Sequence, residues 1–315
     1  MTSGVNMLCF SASYAVALAI EGAGAWRVVP GRRVGLLLAT AAGWVAHTWY
    51  LGQRVADAPV RPLASPHDWY LAAAWLLAGI TLAAGFYYPQ RPLALFLPPP
   101  TLSLIGASLV ADAEPLASFA ASRFWGRTHG VLLMLGSVAV LLGFIAGLMY
   151  LLQSWRLKRK AHPLGELRLP SLEWLERVNN RMLGAAAVLV GLGFFTGVVA
   201  RWSQPDARRG VPWTDPVVMS LLAMLAWLIV AEGFRQLYPA ARGRKVAYLT
   251  VAAFAFLLFT LATFTVGGDA LHGKPASKKN PPLPSANLRP AGSAFTQRPR
   301  REFAANSIDR CGGCT

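Results

Sequence analysis

Between Val131 and Trp155 the chain carries no Asp, Glu, Lys or Arg. That run exceeds the roughly 20 apolar residues needed to cross a bilayer's hydrocarbon core. It closes on Trp155-Arg-Leu-Lys-Arg-Lys160, an aromatic followed by cations, the usual ending of a span at the membrane boundary. Its other mouth reads Phe124-Trp-Gly-Arg-Thr-His129-Gly. Such a stretch dictates a membrane-spanning helix. With the basic end in the cytoplasm, His129 falls at the extracytoplasmic surface.

The rest of the chain repeats this texture. Of 315 residues, 55% are hydrophobic and only 14% charged, and long apolar runs replace the short ones of a soluble domain, so an all-α, polytopic integral membrane protein is expected. The net charge of +16 does not point to nucleic acid, because the cations lie mostly in segments between apolar runs and form no stripe on a soluble module. The N-terminal apolar stretch lacks a charged leader and is long enough to be kept as a span, so no cleaved signal peptide is expected.

About eight spans are expected in a domain covering residues 1–272: Gly4 to Trp26, Val34 to Gly52, a third ending at Tyr88, Leu93 to Ala111, the opening helix, Met182 to Val199, Val217 to Leu237, and Val246 to Gly267. The fourth is expected to be short or broken, since Pro98-Pro99-Pro100 cannot continue an ordinary helix. Ser171 is a candidate N-cap for a short amphipathic helix ahead of the sixth span. Residues 273–315, rich in Pro, Lys, Arg, Ser and Asn, are expected to form a disordered tail.

Eight spans put both termini on one side. The loops after odd-numbered spans hold about twice as many Lys and Arg as those after even-numbered ones, which makes the odd loops cytoplasmic and both termini extracytoplasmic. Four of the five histidines then fall in the outer half. His129 and His272 stand at the outer ends of the fifth and eighth spans, and His67 precedes the third. His47 lies within the second, about five residues or roughly 8 Å below its outer end. His162 falls in a cytoplasmic basic loop, where solvation accounts for it.

Neutral imidazoles at a membrane boundary among Trp side chains suit iron held in a flat hydrophobic macrocycle. The same residues also fit a plainer reading, as an interfacial aromatic belt and helix-end hydrogen bonds. His47 is the better placed of the group, because an ionisable residue inside a span is costly. No nucleophile with its base, no HExxH, no phosphate loop and no acidic pair within a span is present. Glu21 and Glu232, the intramembrane acids, lie near cytoplasmic ends, and Cys9 reads as a packing residue.

Several motifs occur in a telling order: Phe124-Trp125-Gly-Arg-Thr-His129, a span ending at Tyr150-Leu151, a basic loop, Leu169-Pro170-Ser-Leu-Glu173 with Leu175-Glu176, and Gly193-Phe-Phe-Thr-Gly197. In this order the chain resembles the cytochrome c assembly proteins of the CcsA and HemX type, over about 124–272. The resemblance implies haem binding at the outer face, with His129 and His272 as axial ligands of a b-type haem that is held or passed on transiently. It makes His47 a further candidate. It also implies a covering loop with Trp202, Trp213 and Asp215, although the family's Trp-rich signature is degenerate here: Arg201-Trp-Ser-Gln-Pro-Asp-Ala-Arg-Arg-Gly-Val-Pro-Trp213-Thr-Asp215-Pro216. Arg208 and Arg209 are either partners for haem propionates or solvated.

The tail ends Cys311-Gly-Gly-Cys314-Thr, a candidate thiol pair without the His that a covalent haem site needs and without the further ligands of a zinc site. The implied function is haem transport and presentation to apocytochrome c, with a second synthase subunit as partner. This is a delivery role and not stand-alone enzymatic chemistry. The alternatives are a HemX-like accessory protein modulating tetrapyrrole biosynthesis through the cytoplasmic loop from Arg156 to Arg181, and a structural subunit of a membrane complex carrying no haem.

Overall fold

The computed structural model describes residues 6–26, 31–57, 65–88, 93–111, 113, 123–159, 169–203, 213–238 and 243–267. All elements formed by these residues are helices: α1 (Met7–Trp26), α2 (Arg32–Asp57), α3 (Pro66–Tyr87), α4 (Leu93–Phe96), α5 (Pro98–Val110), α6 (Arg123–Arg159), α7 (Leu172–Trp202), α8 (Pro216–Leu237) and α9 (Arg244–Gly267). Seven of them are long and apolar enough to cross a membrane. Their outward faces carry Leu8, Val16, Leu38, Val45, Phe195, Ile229, Leu258 and Phe259, exposed as lipid-facing side chains are.

The expected fourth span is the broken pair α4 and α5, parted at Leu97. Its three prolines open α5. The first turn of a helix has no intrahelical acceptor for its N–H groups, so Pro costs nothing there. At 13 residues α5 is about 20 Å long and does not cross a core of about 30 Å by itself.

Starts are set by local chemistry. Ser65 accepts from the Asp68 N–H at 3.2 Å, with Pro66 following, and Asp215 accepts from the Val217 N–H at 2.8 Å, with Pro216 following. Ser171 accepts from the Trp174 N–H, as expected, but the helix it caps does not stop. Leu175, Asn179, Leu183, Ala186, Val190 and Gly193 are all buried, at spacings of three and four, so the amphipathic segment and the sixth span are one 31-residue helix. At α9, Gly243 takes φ +87°, and a β-carbon there would meet the Tyr150 hydroxyl.

Consecutive long helices pack antiparallel within α1–α3 and within α6–α9, whereas α3 and α6 start at the same end, where Trp69 meets Gly130. In the C-terminal half α6, α7, α8 and α9 enclose Val140, Leu183, Ala186, Val190, Met224, Leu228 and Ala253. In the N-terminal half α1, α3 and α5 enclose Phe10, Tyr14, Leu71, Ala74, Ala78 and Ile105. The halves meet where Leu77, Ala84 and Leu97 pack with Leu141, Ile145, Met149 and Leu175. Cys9, expected to pack, is exposed on the outside of α1.

Two ion pairs bracket the N-terminal half. Arg32 Nε lies 3.3 Å from Glu21 Oε2, and Arg54 Nε 2.7 Å from Asp68 Oδ1. Both arginines are on α2, 22 residues and so about 33 Å apart, which matches the hydrocarbon thickness. At the Arg32 end Glu232 is paired with Arg235.

Candidate functional site

The contact between α6 and α7 is a ladder in which a large residue on one helix faces a glycine on the other. A β-carbon on Gly136 would stand 2.7 Å from Val190, one on Gly193 2.6 Å from Leu133, and one on Gly197 2.7 Å from His129. Lipid tails are as apolar as the side chains, so close packing of this kind, and not exclusion of water, holds such helices together. His129 is the last rung of the ladder toward the Arg54–Asp68 end of the bundle.

There its Nδ1 lies 2.6 Å from the Gly193 carbonyl oxygen. A carbonyl only accepts, so Nδ1 carries the proton and donates. The neutral ring therefore holds its lone pair on Nε2. A histidine fixed in this way is prepared to bind a metal through Nε2, because the backbone bond sets both tautomer and ring orientation.

Aromatic side chains gather at the same end. Trp69 of α3 packs over Gly130 so closely that a β-carbon there would collide with it. Trp202, at the end of α7, is 77% exposed, and Trp213 is 47% exposed with the Arg201 guanidinium 5.2 Å from its ring centre. Asp215 is buried and engaged as the N-cap of α8, a structural task that its place in the expected covering loop did not suggest.

His47 and His67 belong to the other half. The α2 helix continues past Gly52 to Asp57, which places His47 about 15 Å from the helix end and not the 8 Å expected. Its ring is fully buried, stacked on Phe10 at 4.1 Å, with Nδ1 3.4 Å from the Tyr14 hydroxyl and Nε2 without a hydrogen-bond partner among the described residues. His67 does not precede the third span but lies inside its first turn, where Nδ1 donates to the Ser108 carbonyl at 2.7 Å and ties α3 to α5. Its sequence signal was the Ser-Pro-His-Asp start of a helix, which places an imidazole at a buried N-terminus. His162, Arg208, Arg209, His272, Cys311 and Cys314 lie outside the described residues.

Among the described residues no three His, Cys, Asp or Glu side chains come together to cage a metal ion. His129 thus offers one donor, which suits a metal that brings its own equatorial ligands. Compared with known proteins, the chain matches no family model, no curated protein and no solved structure.

Proposed function

We propose that the protein binds haem at the end of the bundle that carries His129, in the extracytoplasmic half of the cytoplasmic membrane, and presents it to apocytochrome c in concert with a second assembly subunit. The observation that carries this reading is the 2.6 Å bond from His129 Nδ1 to Gly193, which leaves the Nε2 lone pair as the donor. When bound, haem would supply an iron able to take an imidazole nitrogen such as His129 Nε2 as a ligand. Gly197 leaves the space in which the ring of His129 stands. Trp202 and Trp213 offer exposed apolar faces, and Arg201 brings a cation for carboxylates. His272 is the candidate second ligand. The order of motifs from Phe124 to Gly197, with its likeness to cytochrome c assembly proteins, supports the same reading.

Charge supports the orientation in this reading: Arg32, Arg33, Arg156, Lys158, Arg244 and Lys245 gather at the end opposite His129, the side the positive-inside rule favours for the cytoplasm, and the reading puts both termini outside.

The test is an optical spectrum of the detergent-purified protein after addition of haem, oxidised and reduced, beside His129→Ala and His272→Ala. A haem spectrum in the parent that weakens or shifts in both variants is expected. A parent that stays colourless after haem addition overturns the proposal.

A further inference from the structure

The carbonyl that holds His129 has more donors than lone pairs. Within α7 the helical pattern brings the Gly197 N–H to the Gly193 oxygen, four residues back. His129 Nδ1 reaches the same oxygen from α6 at 2.6 Å, and Thr196 Oγ1 reaches it at 2.9 Å. A carbonyl oxygen has two lone pairs, so three donors compete for it.

Of the three, the hydroxyl has a second acceptor within reach. The Gly197 N–H is fixed by the helix, and among the described residues His129 Nδ1 donates to Gly193 alone. Thr196 Oγ1 lies 3.0 Å from the Leu192 carbonyl oxygen as well, so its single proton serves either carbonyl after a turn about the Cβ–Oγ1 bond. Thr196 is 7% exposed and shares the face of α7 that carries Gly193 and Gly197, which puts this hydroxyl inside the contact with α6.

A threonine that bonds back to its own helix is common, and alone it satisfies a buried hydroxyl. Here the acceptor it uses is the one that an imidazole from another helix depends on. When the hydroxyl donates to Gly193, it draws on the electron density that holds the Nδ1 proton, and the bond from His129 weakens. When it turns to Leu192, that density returns to the imidazole bond, and the ring becomes a stronger donor at Nε2. Hydrogen bonds to the outer nitrogen of a metal-ligating histidine act on the metal in this way.

We propose that Thr196 is a positioning residue of the His129 site: its hydroxyl, by sharing or leaving the Gly193 carbonyl, sets the strength of the His129–Gly193 bond and through it the donor strength of Nε2. No proton is transferred and no electron moves; one hydroxyl rotates. Two hydroxyl positions give one imidazole two donor strengths, which suits a group that is first held and then handed over. The bearing on haem rests on the function proposed above, while the effect on the His129 bond stands without haem.

The test reads that bond directly. Full-length protein carrying isotope-labelled histidine is purified in detergent without haem, and the His129 Nδ1 proton resonance is identified by its absence from His129→Ala. In Thr196→Val, which removes the hydroxyl and keeps the β-branched shape, this resonance is expected to move downfield, as a stronger hydrogen bond demands. Thr196→Ala is expected to move with it, which separates the hydroxyl from packing, and Thr196→Ser, which keeps the hydroxyl, to stay with the parent. In haem-loaded protein the midpoint potential of Thr196→Val is expected below the parent's, because a stronger imidazole donor favours ferric iron, with Thr196→Ser again at the parent's value. A resonance unmoved in Thr196→Val or Thr196→Ala overturns the proposal, as does one displaced in Thr196→Ser as far as in Thr196→Val. A displaced resonance with an unchanged potential overturns the part of Thr196 in metal binding. A parent that takes up no haem overturns the haem reading, and the resonance still decides on Thr196.

Discussion

Gly197 of α7 lies so close beneath His129 of α6 that a β-carbon added to it would stand 2.7 Å from the imidazole Nδ1. The atom it would strike is the one that donates to the Gly193 carbonyl. Gly197→Ala should therefore push the ring off its acceptor, costing about 1–3 kcal/mol as overpacking does. Added haem should bind this variant as weakly as it binds His129→Ala. Titration with haem checks this, and unchanged affinity in Gly197→Ala would show that ring placement does not matter.

Asp215 is a cap in this structure, and its variants should behave accordingly. Asp215→Ala should lower stability by about 1 kcal/mol, the usual value of an N-cap, while Asp215→Asn stays near the parent. Neither should alter the spectrum of added haem. A spectrum lost in Asp215→Ala without loss of stability would give this residue a direct part in binding.

His67 ties the start of α3 to the end of α5 through Ser108. Its replacement by Ala leaves a buried carbonyl unsatisfied, a cost of about 1–3 kcal/mol. Unfolding in detergent and denaturant should show that loss, with haem binding unaffected. A variant as stable as the parent would mean that α5 is held by other contacts alone.

Sidedness can be read by labelling. In a background with Cys9, Cys311 and Cys314 changed to Ser, Asn6→Cys and Ser203→Cys should react with a membrane-impermeant maleimide on intact cells. Lys158→Cys and Gln236→Cys, exposed at the opposite end, should react only after permeabilisation. The reverse pattern would invert the proposed orientation.

Much of this fold was legible because the bilayer demands long uncharged helices, and composition alone reveals them. The break before Pro98 and the cap at Ser171 were legible because each rests on chemistry local to a few residues. The continuity of α7 was missed because its first turns hold Glu173, Glu176 and Arg177, which read as the polar face of a separate short amphipathic helix. The buried face from Leu175 through Leu183 to Val190 keeps one register across both parts, and that register was the signal. The depth of His47 and the burial of His67 depend on where α2 ends and α3 begins, and the hydropathy of flanking polar residues does not set those boundaries. His129 was legible as a candidate, but its acceptor was not. The Gly193 and Gly197 motif entered through a resemblance, and its physical role, a slot for an imidazole and a carbonyl to hold it, needed the packing of two helices.

The unbroken course of α7 joins two places that a loop would have separated. Leu172 and Gly193 are 21 residues apart, about 32 Å, on one stiff rod. An axial shift of the first turn is carried along the rod to Gly193, whose carbonyl accepts from His129 Nδ1 at 2.6 Å. The turn from Leu172 through Arg177 on the basic side is thus rigidly connected to the carbonyl that holds the His129 ring.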